Sequence, residues 1–409
     1  MSNTLVTIDM VTREALRIAH EKCQFISTTD RQYDSSFAKT GAKIGASLRV
    51  RKPNQYLRTQ GTRVMDVQEQ DEQTSTVTVA TQDHVDMRFN SAELALSLDE
   101  LSKRYIEPAV SSLVSAIEGD YLAYATKKTY NVVGTAGTAI TDLTAPGLAR
   151  ARLNQMLAPK DRNRAIQMDS VTMAGLVKGV AAYFNPSGAI SEQYREGLVA
   201  RTSMADYYEN ERVWTLTNSA DVTVTTAAAA AVTDGGTNIT LASVGAGDTT
   251  AGMTFTVAGV YACHPETKQS LGYLQPYVVI TGGATTQTVS PATILTGPRQ
   301  NVCSAASAQL ATTAYNGTAV AVTFFGAMNT SYAQPLLYHK EAFQFVTADL
   351  PLMDDAHKCV RRSQDGLSMR VWQASDIRND ELLMRIDILY GMAALRPEWA
   401  CRMIGAASA

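Results

Sequence analysis

The sequence predicts an α+β body interrupted by an inserted all-β segment, and three observations carry that expectation. First, charge is unevenly spread: from Ser219 to Ser331 only six of 113 residues are charged (Asp221, Asp234, Asp248, Glu266, Lys268, Arg299), whereas the other 296 positions carry 69. Thr, Val, Ala, Ser and Gly dominate that segment, and short alternating runs such as Val222/Val224, Ile239/Leu241, Phe255/Val257 and Val320/Val322/Phe324 are separated by Gly and Pro. That is the pattern of a small barrel or sandwich. Second, Ile106, Val110, Leu113, Val114, Ile117, Tyr121 and Tyr124 keep helical spacing and mark one long helix. Third, strand and helix patterns lie on both sides of the β segment, which makes it an insertion.

Taken in order, Val11, Ala15, Leu16, Ile18 and Ala19 form the apolar stripe of a helix over about Asp9 to Lys22, with Arg13, Glu14, Arg17 and Glu21 on its polar side. A polar stretch, Ser27 to Gly41, has no periodicity and is predicted to be an extended arm. Two strands follow, Ala42 to Val50 and Thr74 to Ala80, with a long polar loop between them. Charge in this ribbon is segregated: Arg49, Arg51, Lys52, Arg58 and Arg63 come first, then Asp66, Glu69, Asp71 and Glu72. A two-stranded ribbon of this length has no core of its own. It is therefore predicted to lie on another surface, and these nine residues are its candidate inter-subunit contacts.

A strand at Val85, Met87 and Phe89 leads to the capping box Ser97-x-x-Glu100. Pro108 then kinks a helix or opens a new one in its first turn. Glu107 to Thr129 would run about 35 Å at 1.5 Å per residue. Leu148 to Leu157 and Val171 to Tyr183 read as helices around a strand at Ala165 to Met168. Beyond the insert, strands are expected at Ala342 to Val346, at Leu367/Met369/Val371 and at Met384/Ile386/Ile388/Tyr390.

Composition excludes several functions. The 36 basic and 39 acidic residues leave a net charge of −3, which argues against a protein that coats nucleic acid. No run approaches the 18 apolar residues of a membrane span, and the first ten residues have no export signal. Cys23, Cys263, Cys303, Cys359 and Cys401 form no CxxC. Neither a disulfide framework nor a zinc ribbon is expected, and a reducing cytoplasm fits.

Enzyme motifs fail. Ser36-x-x-Lys39 and Lys39-Thr40-Gly41 share one lysine where a β-lactamase needs two. Cys263-His264-x-Glu266 reads as a turn, Asp354-Asp355 and Asp387 as solvated carboxylates, and Trp214, Trp372 and Trp399 as packing residues. No catalytic, cofactor or metal site is expected. What remains is a chain with long projecting elements, which suit a subunit gripped by many neighbours.

Three groups of residues carry a resemblance. They are Tyr194-Arg195-Glu196-Gly197 ahead of the insert, Tyr390-Gly391-x-x-Ala394-x-Arg396-Pro397-Glu398 near the C-terminus, and the pair Met253 to Val260 with Leu274-Gln275-Pro276-Tyr277-Val278. In order and spacing the chain resembles the major coat protein of short-tailed phages of the Salmonella phage P-twenty-two type, a branch of the Hong Kong 97 capsid fold with an inserted domain. That resemblance implies an N-terminal arm over 1–41, an extended loop over 42–90, and a peripheral-domain spine helix over 91–130. It further implies axial and peripheral domains over 131–218 and 332–409, and an inserted domain over 219–331. The implied partners are copies of the chain itself in pentamers and hexamers, a scaffolding protein, a portal protein, and packaged double-stranded DNA by proximity. No cofactor, enzyme activity or membrane is implied, and the place is the virion capsid, assembled in the host bacterial cytoplasm. The alternatives are an encapsulin-type nanocompartment shell or a β-domain adhesin or hydrolase.

Overall fold

The computed structural model describes residues 8–33, 47–61, 65, 67–68, 72–90, 102–180, 205–219, 226–227, 232–241, 249–283, 286–310, 313–314, 320–352, 358–376 and 381–407. The chain forms two compact units. One gathers 1–50, 74–122 and 343–395, and the other 51–73, 123–342 and 396–409. The capping box at Ser97, the Tyr194 to Gly197 motif, the Ser36 to Gly41 stretch and Asp354-Asp355 lie outside the described residues.

The first unit is built on a six-stranded sheet. Its order is Asp30–Tyr33, Phe343–Ala348, Glu381–Ala394, Leu367–Asp376, Lys358–Gln364, with Thr81–Asn90 also paired to Glu381–Ala394. The 14-residue strand Glu381–Ala394 is the hub, because three of the other five strands pair with it, all antiparallel. Alternation gives it two faces.

On one face, Phe345 stacks on Tyr390 at 5.5 Å between ring centroids and meets Tyr121 at 5.3 Å, while Phe25 meets Tyr121 at 4.7 Å. Tyr121 belongs to the helix Glu107–Lys128, whose buried stripe includes Val110, Leu113, Val114, Ile117 and Tyr121 as the spacing predicts. A wide π-type turn, Ser102–Ile106, precedes that helix. Pro108 falls in the first turn of the α-helical stretch, directly after the π-helical one, so it sits where the winding changes from π to α.

The N-terminal helix, Ile8–Lys22, buries Val11, Ala15, Leu16, Ile18 and Ala19 and leaves Arg17 paired to Glu14 and Glu21 on its outer side. The extended arm expected from Ser27 onward is corrected in part. Phe25–Thr28 is a short helix with Phe25 and Ile26 buried, and Asp30–Tyr33 is an edge strand running parallel to Phe343–Ala348. The cause is Glu118, which sits fully buried on the apolar stripe of the long helix. Its carboxylate accepts the backbone N–H groups of Gln24, at 2.8 Å, and of Phe25. A carboxylate at unsatisfied helix N–H groups is a favourable charge-assisted contact, and it ties the segment to the helix.

The opposite face of the sheet packs Val346, Ala348, Leu350, Leu389, Ala393 and Leu395 against Val77 and Val79 of the ribbon. Close approach is possible at Gly391. A Cβ there would clash with the Thr78 carbonyl oxygen and stand 3.0 Å from the Val79 Cα.

Asp387 is a second correction. It is not a solvated carboxylate but is 0% exposed, directly across from Arg370 in the ladder. Arg370 grips it through Nε at 3.1 Å and Nη2 at 2.5 Å, and Gln82 Nε2 donates from the other neighbouring strand at 3.1 Å. Arg385 Nε approaches within 3.4 Å.

The second unit contains a five-stranded sheet in the order Val132–Val133, Ala400–Met403, Leu336–His339, Arg164–Met168, Asp206–Glu209. The helices Thr144–Gln155 and Ser170–Val180 accompany it. The low-charge segment builds a seven-stranded sheet in the order Gly236–Thr240, Thr286–Thr293, Ser270–Thr281, Thr254–Cys263, Val320–Phe324, Thr226–Ala227, with Val302–Cys303 added alongside Thr254–Cys263. Its core holds Met253, Phe255, Val257, Val260, Tyr277, Val279, Val289 and Val322. Thr215–Thr217 and Ser331–Ala333 pair antiparallel at its entry and exit, with Thr217 opposite Ser331.

Two outcomes follow for the unassembled subunit in denaturant unfolding. Asp387→Asn leaves Arg370 buried without its counter-charge and is expected to cost about 3–5 kcal/mol. Gly391→Ala forces the ribbon strand off the sheet and is expected to cost about 1–3 kcal/mol, the range for overpacking.

Candidate assembly surface

The nine charged residues of the ribbon separate into four groups. Arg49 and Arg58 are exposed. Arg51 and Glu72 come together, Nη1 to Oε2 at 3.3 Å, with 77% and 56% of their side chains exposed. Such a pair contributes at most about 1 kcal/mol and is screened by salt, so it orders the base of the loop without consuming the charge of the surface. Arg63, Asp66, Glu69 and Asp71 lie outside the described residues. The loop also exposes apolar side chains that a reading by charge alone passes over: Tyr56 at 57%, Met65 at 88% and Val67 at 75%. Isolated exposed apolar residues are common, but three on one loop make it a candidate contact surface.

Lys52 differs from its neighbours. It is half-buried, its N–H bonds the Gln73 carbonyl at 2.8 Å, and it lines a cavity of about 970 Å³ together with Tyr130, Gln275, Arg396, Glu398 and Trp399. The cavity wall explains the Arg396-Pro397-Glu398 motif. Arg396 lies over the Trp399 ring at 4.1 Å, Trp399 Nε1 donates to the Met156 carbonyl at 3.1 Å, and Asn131 Nδ2 donates to the carbonyls of Glu398 and Ala400. Burial pushes the Glu398 carboxyl above its ordinary value, while Lys52 and Arg396 pull it back. Burial also raises the neighbouring Tyr130 phenol, and the charge of Glu398 adds to that. The described lining carries Lys52, Arg299 and Arg396 against Asp234 and Glu398.

The remaining polar candidates are structural. His264 Nδ1 accepts the N–H groups of Glu266 and Thr267, each at 3.2 Å, which makes Cys263 to Glu266 the expected turn. All five cysteines are free thiols. Burial pushes Cys263 and Cys401 up to about 12, so at neutral pH they are poor nucleophiles and poor metal ligands. Among the described residues no group of three His, Cys, Asp or Glu could hold a metal ion.

The raised Glu398 gives a pH test. The unfolded chain releases this proton first, so above the ordinary carboxylate value near 4.5 the native state holds the proton more tightly and stability falls as pH rises. Glu398→Gln is expected to flatten that slope and to raise Tm at pH 7 relative to the parent, with little difference at pH 4, as read by thermal unfolding across pH.

Comparison with known proteins places the chain. The family model described as P22 coat protein, gene protein 5, matches residues 71–405. Its match begins beyond the basic half of the ribbon. No curated protein matches.

Solved structures similar to this chain include one titled Mycobacterium phage Che8, 8% identical, covering 93% of this chain and 90% of that one with a TM-score of 0.47. Another is the mature capsid of bacteriophage PhiM1, 11% identical, covering 93% and 86% with a TM-score of 0.42. The capsid of Ralstonia phage GP4 is 9% identical, covering 93% and 86% with a TM-score of 0.43. The sequence match spans most of the chain, including all three groups of motif residues and the whole low-charge β segment, and on that ground the chain belongs to the P22 coat protein family and is a major capsid protein of the phage head.

Proposed function

We propose that this coat protein closes into an icosahedral head of pentamers and hexamers around packaged double-stranded DNA. A scaffolding protein and a portal protein act in its assembly, which takes place in the host bacterial cytoplasm. Within that reading, 1–41 is the arm, 42–90 the loop that overlaps a neighbour, 91–130 the spine, 131–218 and 332–409 the axial and peripheral domains, and 219–331 the inserted domain. Family membership supports this more than it supports a bacterial nanocompartment, and nothing in the sites described favours an adhesin or a hydrolase.

The single observation that carries the contact assignment is the exposed surface of the loop between Arg51 and Gln73. It combines exposed basic residues with exposed Tyr56, Met65 and Val67. Repeated around a shell, weak contacts of this kind accumulate through multivalency. A modest net charge of −3 suits a wall that encloses DNA without binding it tightly.

Electron microscopy of the protein expressed with its scaffolding partner should show closed shells, and only small uniform species would refute the reading. The double variant Arg58→Glu/Arg63→Glu should keep the melting temperature of the subunit and reduce shell yield, more strongly at low salt.

A further inference from the structure

The loop from Arg51 to Gln73 has no β-ladder among its described residues beyond its base, yet two of its residues face each other as strand neighbours would. Gln68 Oε1 accepts the Leu57 N–H at 2.8 Å, and Gln68 Nε2 donates to the Leu57 carbonyl at 2.6 Å. One side-chain amide thus reproduces both hydrogen bonds of an antiparallel pair, N–H to O and O to H–N, on a single backbone residue. A primary carboxamide is the side chain suited to this, since it carries a donor and an acceptor on one planar group. Both partners are half-buried, so the two bonds are partly shielded from water. Tyr56 precedes Leu57, and Met65 and Val67 precede Gln68. The amide therefore ties the chain next to Tyr56 to the chain next to Val67.

We infer that Gln68 is a positioning residue for assembly: its amide clasps Leu57, and the preformed loop presents Tyr56, Met65 and Val67 as one apolar surface to a second copy of this chain. This rests on the reading of the loop as an inter-subunit contact. The occupant is another copy because the surface belongs to a coat protein and its loop carries both a basic and an acidic block, a self-complementary arrangement. Without the clasp the loop is ordered only when it docks, and that ordering is subtracted from the contact.

Three full-length variants are compared for melting temperature, for tryptic cleavage after Arg58 in the unassembled subunit, and for the critical concentration of shell formation. Gln68→Ala should leave the melting temperature unchanged, raise the cleavage rate several-fold, and raise the critical concentration about tenfold. Met65→Ala/Val67→Ala should raise the critical concentration without changing cleavage. Leu57→Cys/Gln68→Cys, oxidised with diamide, replaces the clasp by a disulfide, and diamide becomes the hydrazide as the two thiols lose their hydrogens. It should restore assembly, and reduction should abolish that rescue.

If Met65→Ala/Val67→Ala assembles like the parent, the contact reading fails. If that variant is impaired but Gln68→Ala shows parental cleavage and assembly, the clasp fails and the contact stands. Faster cleavage of Gln68→Ala with unchanged assembly also overturns the positioning role.

Discussion

The buried ion pair between Arg370 and Asp387 is the constraint on which the rest of the first unit depends. It lies inside the ladder of the hub strand, with both residues almost wholly removed from water. A buried pair of this kind adds little net stability, since desolvation offsets most of the attraction, but it penalises every alternative. Sliding the strand by one residue would turn Asp387 to the other face and leave a bare guanidinium behind. Register fixes Phe345 against Tyr390, and so the aromatic layer that receives the long helix. It also sets Gly391 under Thr78, where the ribbon lies closest to the sheet. One electrostatic choice thus aligns both faces.

The loop that leaves this well-determined base is held differently. Its described contacts include an exposed ion pair, a backbone bond from Lys52 to Gln73 and a side-chain amide, while Lys52 lines the cavity beside Glu398 and Trp399. Segments of this kind sit at the low end of local stability. Under the proposed function, a loop specified by polar geometry can settle on a neighbour without unfolding the unit that carries it.

Much of the fold was legible because periodicity carries it. The stripe from Val110 to Tyr121, the alternation of Met384, Ile386, Ile388 and Tyr390, and the charge-poor insert correspond to a helix, a strand and a sheet at the expected places. What escaped were polar residues acting across long sequence separations. Glu118 interrupts an apolar stripe and looks like an ordinary surface glutamate until Gln24 and Phe25 arrive from 94 and 93 residues away. Asp387 looks like one of many strand carboxylates until Arg370 stands opposite. Gly391 stood in a recognisable motif, yet the reason for it is the backbone of residue 78. The candidate surface was half legible: segregated charge pointed to the loop, while Met65, Val67 and the Gln68 clasp carried no periodic signal.

Thr217 and Ser331 are neighbours in a two-stranded ladder, joined as well by a hydroxyl contact of 2.8 Å. To the strands on either side, everything between these two residues is a single tie whose ends already touch. The entropy of closing such a tie grows only with the logarithm of its length, so a hundred residues there cost scarcely more than a few dozen. Closure at that neck therefore sets little limit on the length of the segment between Thr217 and Ser331, and this is how a large β segment can lie in the middle of the chain without parting the two strands that flank it.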